Sequence, residues 1–221
     1  TGENPDAIMY EPFSKTIVTC NGRSKNLTFI NANTYQELGT IDVGGKPETA
    51  VSDEKGKVFV NVEDKNEIVV INVNTMKVEA HWSIAPIESP TGLAIDLKTK
   101  RLFAGGEKLL GIINAENGKM ITTIAIGDGC DGVGFNNNTK MIYTSNGEGT
   151  MSIIKEEDAN HFKLLENIPT LKGARTIAVD ESSNKIYLPT ADFEPLPADA
   201  KPNTRGKMIS GSFKILVVSK K

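Results

Sequence analysis

Chemically versatile side chains are scarce in this chain. Among 221 residues it holds two cysteines, two histidines and one tryptophan, and aromatic residues make up 6%. His81 and His161 both fall in or beside segments that read as outer strands, too few and too peripheral for a histidine-based zinc or copper centre. Cys20 and Cys130 lie three repeat units apart, beyond the roughly 7 Å that a disulfide allows between α-carbons, so both are expected to be free, half-buried thiols. No run of eighteen apolar residues occurs, which excludes a helical membrane span. No segment keeps a 3.6-residue apolar period, so no substantial helix is predicted. The net charge of −3 and pI of about 5.6 provide no whole-molecule attraction for phosphate backbones or anionic lipid. The sequence opens on Thr1, so the lack of a signal peptide within it says nothing about the intact protein.

What the chain has in abundance is repetition. One aromatic or branched residue recurs at Val18, Phe59, Phe103, Tyr143 and Tyr187, and a second series runs Ile30, Ile71, Ile113 and Ile154. A period in the low forties is the length of a four-stranded propeller blade. The fold class is therefore all-β, a β-propeller of antiparallel blades at residues 1–43, 44–84, 85–126, 127–168 and 169–221, forming one domain.

Each unit divides into four short strand patterns. In the second these are Thr49 to Ser52, Lys57 to Val62, Glu67 to Asn72 and Val78 to Ile84. Innermost strands are small and apolar because they are packed on both sides where blades converge, and second strands carry the β-branched and aromatic residues suited to a pleated surface. Asparagines at Asn31, Asn72 and Asn114 mark the turns between third and fourth strands, by hydrogen bonds to nearby backbone and by tolerance of left-handed conformations. The last unit departs from the pattern with a loop over 189–211 that is about twenty residues longer than its counterparts, read as a lid or a surface excursion. Its final pattern, Phe213 to Val218, is a third strand without a fourth. The expectation is a C-terminal portion of a seven-bladed protein lacking about two blades of about 40 residues each, with a self-sufficient five-bladed ring as the alternative.

The phrases Ile17-Val18-Thr19-Cys20-Asn21, Phe29-Ile30-Asn31-Ala32-Asn33-Thr34, Thr40-Ile41-Asp42-Val43-Gly44-Gly45-Lys46-Pro47-Glu48 and Tyr143-Thr144-Ser145-Asn146 resemble the YVTN-type repeat of the YncE-like β-propeller family. That resemblance runs through the whole chain. It implies a bacterial protein exported to the periplasm or cell surface. It implies little about activity beyond the single-stranded DNA binding credited to the family's namesake. The chain departs from the literal motif at Phe103-Ala104-Gly105-Gly106 and Tyr187-Leu188-Pro189-Thr190.

In a propeller the loop leading into each innermost strand lies at one end of the central channel. Those positions here are Asp6, Glu48, Glu88, Thr91, Asp128, Asp131 and Arg175. Such an oxygen-rich mouth suits a cationic ligand or a hard cation such as calcium, with Glu48 and Asp131 as candidate metal ligands and Arg175 able to hold a carboxylate or phosphate. The same residues also read as groups that cap their own loops. Cys130, amid acidic neighbours and with no histidine in the pattern, reads as an unreactive thiol of raised pKa. The leading expectation is an exported, non-catalytic module that binds a small molecule or a protein partner at the channel mouth, bordered by the 189–211 loop. A calcium-assisted enzyme of lactonase or lyase type is the alternative. Third is single-stranded DNA binding through the final unit, where nine basic residues against five acidic leave +4 in a chain of −3.

Overall fold

In the computed structural model of the chain, residues 1–197 and 206–219 are described. Among the described residues the protein is a β-propeller of nineteen strands in five antiparallel sheets. The first contains β1 (Pro5–Glu11), β2 (Thr16–Asn21), β3 (Asn26–Asn31) and β4 (Glu37–Asp42). The second contains β5 (Pro47–Ser52), β6 (Lys57–Val62), β7 (Glu67–Asn72) and β8 (Lys77–Ser83), and the third β9 (Gly92–Asp96), β10 (Arg101–Gly105), β11 (Leu109–Asn114) and β12 (Met120–Ala125). The fourth contains β13 (Cys130–Asn136), β14 (Met141–Asn146), β15 (Thr150–Glu156) and β16 (Phe162–Pro169). The last has three strands, β17 (Ala178–Asp180), β18 (Lys185–Thr190) and β19 (Lys214–Val218). Among the described residues, helix is confined to one 3-10 turn, Glu63–Lys65, and no helix is long and apolar enough to cross a membrane.

The sequence period is a spatial one. Val18, Phe59, Phe103, Tyr143 and Tyr187 each pair inward with Met9, Val51, Ala94, Gly134 and Ala178, and outward with Phe29, Val70, Ile112, Ile153 and Val217. The four complete blades share a further detail: a bulge between third and fourth strands at Phe29/Ile30, Val70/Ile71, Ile112/Ile113 and Ile153/Ile154. Each bulge adds one residue to the fourth strand and increases its local twist.

Stability resides between blades. Four apolar clusters lie at the four sheet-to-sheet boundaries, anchored by Phe29, Phe59, Phe103 and Leu188. Phe103 is fully buried and stacks near Phe135 and Phe162, with ring centroids 5.2 and 6.1 Å away. Innermost strands converge so closely that a β-carbon on Gly92 would come within 2.6 Å of the Val133 backbone nitrogen. Those strands pack in succession, β1 on β5, β5 on β9, β9 on β13 and β13 on β17, but β17 makes no comparable contact with β1 among the described residues. The terminal blades accordingly keep apolar faces in solvent, as at Ile8 (69% exposed) and Ile215 (52%).

Several local expectations change. Asn31, Asn72 and Asn114 do accept hydrogen bonds from backbone amides two residues on, at 2.8–2.9 Å. The left-handed residue of each turn is, however, four positions later, at Tyr35, Met76 and Gly118. Gly118 is required twice over, since its φ is 73° and a β-carbon there would meet the Trp82 ring at 2.4 Å. The thiols of Cys20 and Cys130 are free as expected, but fully rather than half buried. Pro189 and Thr190 belong to β18, so the long loop starts at Ala191. Its base is itself a ladder, with a Phe193–Met208 bridge and hydrogen bonds from Glu194 N to Lys207 O and from Ile209 N to Asp192 O. Residues 198–205 of the expected loop lie outside the described residues.

Candidate functional site at the channel mouth

Loops from four blades meet at one end of the molecule around a cavity of about 1050 Å³. Its wall includes Glu63 after β6, Glu107 after β10, Lys172 and Arg175 before β17, and Phe193 and Leu196 from the long loop. The topology explains the convergence. In every blade the turn from second to third strand and the approach to the innermost strand emerge at the same end, so residues far apart in sequence share one rim. Sequence reasoning placed Arg175 there directly. It overlooked Glu63, Glu107 and Lys172, although the turns after β6 and β10 could have been read by the same topological rule.

Three of the predicted acidic residues stand one contact behind this wall. Glu48 is held by Lys46 at 2.6 Å, and Lys46 also contacts Glu63. Asp128 lies against Glu107 and 3.3 Å from Lys108. Asp131 is 3.6 Å from Arg175 and accepts a 3.0 Å hydrogen bond from the Thr176 hydroxyl. Each acid thus has its own polar partner, and they orient the lining groups more than they present free oxygens.

The protonation equilibria follow from this arrangement. Burial pulls Lys46 down, but its hydrogen bonds to Glu48 and Glu63 outweigh that and hold its pKa above the lysine range. Burial raises Glu48, helped by the charges of Glu63 and Asp6, and Lys46 offsets this only in part. Glu107 is raised first by its hydrogen bond to Asp128 and then by burial, whereas the same contact lowers Asp128. These two carboxyls therefore titrate as a pair in which Asp128 gives up its proton before Glu107.

The other predicted residues play structural parts. The Thr91 hydroxyl donates to Cys130 O at 2.5 Å and ties the third blade to the fourth. The Glu88 carbonyl accepts a 2.9 Å hydrogen bond from Glu107 N. Asp6, exposed on β1, acts at a distance on Glu48 and Cys20. Burial, with the charges of Glu48 and Asp6, pushes Cys20 up to about 12; burial and Asp131 push Cys130 higher still. Neither thiol is a nucleophile in this state. The histidines serve acids, His81 with Glu67 at 3.0 Å and His161 with Asp158 at 2.8 Å. Among the described residues no group of three or more His, Cys, Asp or Glu side chains comes together to hold a metal ion.

Fold and mouth together define a β-propeller with a mixed-charge cavity at one end of its channel. No protein-family model and no curated protein matches the sequence. Among solved structures, the chain is similar to Kuenenia stuttgartiensis hydrazine synthase, with a TM-score of 0.77 and 15% identity over 99% of this chain and 63% of that one. It is also similar to a chain of a mitotic checkpoint complex, with a TM-score of 0.69 and 13% identity over 78% of this chain and 55% of that one. At these identities the likeness is one of fold. The chain spans less than two thirds of the length of either neighbour.

Proposed function

We propose that the protein is a non-catalytic binding module whose ligand enters the channel mouth. The observation that carries this reading is the cavity itself: two cations, Lys172 and Arg175, four carboxyls, Glu63, Glu107, Asp192 and Glu194, and the apolar side chains of Leu171, Phe193 and Leu196 share one wall. That combination fits a small amphoteric organic ligand or the terminus of a peptide. Its carboxylate would be taken by the guanidinium of Arg175, whose planar fork matches two oxygens, and its apolar body by the long loop. Membership of the YncE-like family, and with it export to the periplasm or cell surface, belongs to this proposal and rests on the repeat phrases. The calcium-assisted enzyme gains no support from Glu48 and Asp131, each of which already lies beside a cation.

Calorimetric titration with phenylalanine, acetate and a set of dipeptides tests the proposal. Dipeptides should bind, and Arg175→Ala should weaken them by at least about tenfold, as expected for loss of one charge-assisted contact. Saturable binding untouched by Arg175→Ala, or no binding by any of these probes, would overturn the assignment.

A further inference from the structure

The end of the propeller opposite the mouth carries the turns from first to second and from third to fourth strands. Side chains tie neighbouring blades together there. Ser52 donates to Glu11 across the first boundary at 2.9 Å, Arg101 to the Ala159 carbonyl across the third at 2.7 Å, and Asn136 to Asn184 across the fourth at 3.0 Å. Among the described residues no side-chain hydrogen bond or ion pair crosses the second boundary at this end. The backbone gives the reason. Phe59 follows its inner partner Val51 by eight residues, whereas Val18, Phe103, Tyr143 and Tyr187 follow theirs by nine, so the β5–β6 turn is one residue short. Lys57, which holds the place of Arg101 in its blade, turns to Glu79 of the same blade at 3.2 Å. What is left is a cavity of about 300 Å³ between the second and third blades.

We propose that this cavity is a second binding site, separate from the mouth, for a small apolar monocarboxylate. Phe59, Ile95 and Ala115 line it with apolar surface, and the exposed Leu97 stands beside them. The charged groups around it are three ammoniums, Lys55, Lys57 and Lys100, and two carboxyls, Asp53 and Glu116. Both acids are already engaged. Asp53 accepts the backbone amides of Lys55 and Lys57 at 2.8 Å, and Glu116 pairs with Lys100. Since Lys57 has Glu79, the one charge of this set left without a partner among the described residues is the Lys55 ammonium. A carboxylate set against Lys55 would answer that charge, and an apolar body would cover the Phe59 and Ile95 surface. Such a ligand touches both blades and so supplies the tie that the short turn leaves out. At roughly 30 Å³ per displaced water the space holds about ten waters, which suits a ligand of about ten non-hydrogen atoms such as phenylacetate.

A chemical-shift titration of the isotopically labelled whole chain with phenylacetate tests this. Leu97 and Ala115 should shift along one saturation curve, with a dissociation constant below about 1 mM. Phenylacetamide keeps the shape and loses the charge, and should bind at least about fivefold more weakly. Lys55→Glu should weaken phenylacetate by at least as much, and because Lys55 is exposed the substitution leaves the core untouched. The amide comparison alters only the ligand, so misfolding of a variant cannot mimic it. Equal affinity for acid and amide, or for the parent and Lys55→Glu, would overturn the carboxylate assignment. Shifts at Arg175 and Phe193 without shifts at Leu97 and Ala115 would place the ligand in the mouth and overturn the second site. So would the lack of any saturable shift at Leu97 and Ala115 up to about 5 mM.

Discussion

Glu156 should make the protein more stable in mild acid than in mild base. Its side chain is buried between the third and fourth blades, where one oxygen accepts a 2.7 Å hydrogen bond from the Thr99 hydroxyl and the other has no donor. Beside it, Asp96 is fully buried and accepts from Lys140 at 2.7 Å and from the Lys98 amide at 2.8 Å. Burial raises Glu156 to about 7, with Asp96 adding to the rise and Thr99 and Lys140 opposing it. Asp96 moves the other way, because its hydrogen bonds to Lys140 and Glu156 outweigh burial. A protonated Glu156 thus donates to an ionised Asp96. The folded pKa of Glu156 exceeds its unfolded value of 4.5, so this group's contribution is fully present below 4.5 and is lost as pH rises through about 7. Between pH 5 and pH 8 the loss comes to about 2.5 kcal/mol at most. Urea denaturation at the two pH values should show it as a lower midpoint at pH 8. Glu156→Gln supplies a permanent donor, and should match the parent near pH 5, exceed it at pH 8 and flatten the difference. A Glu156→Gln protein with the parent's full pH dependence would refute the assignment of the proton to this pair.

Other expectations follow from packing and burial. Phe103→Ala should cost about 3–5 kcal/mol in denaturant melts, because the ring fills the boundary between the third and fourth blades; a loss under about 1 kcal/mol would mean that the blades do not rely on that cluster. Gly118→Ala should lower the thermal midpoint through its left-handed φ and the Trp82 contact, and a neutral result would refute that turn geometry. Native protein should leave Ellman's reagent unreacted at pH 8 until denatured, since both thiols are buried with raised pKa values; rapid reaction of either would contradict the blade packing around it.

The architecture was legible in the sequence because its period is a property of pairing. Val18, Phe59, Phe103, Tyr143 and Tyr187 occupy one position of one strand, so sequence distance maps directly onto blade number. The candidate site was legible only in part. Arg175 could be placed on the wall from topology, but the partners that engage Glu48, Asp128 and Asp131 come from flexible side chains whose reach no spacing encodes. Glu107 looks like an ordinary turn residue until the fold sets it against Asp128. The pair of Asp96 and Glu156, sixty positions apart in sequence order, likewise depends on how two neighbouring blades dock. Phe213 to Val218, read from the sequence as a third strand without a fourth, contains β19, which among the described residues pairs with β18 alone.

Chemical-shift mapping of the isotopically labelled chain with dipeptide ligands tests the central claim most directly, because the mouth is the place where separate blades meet. Glu63, Glu107, Arg175 and Phe193 should all shift along one saturation curve, although they come from three different blades and the long loop. Shifts confined to a single blade, or gathered at the opposite end of the channel, would contradict it.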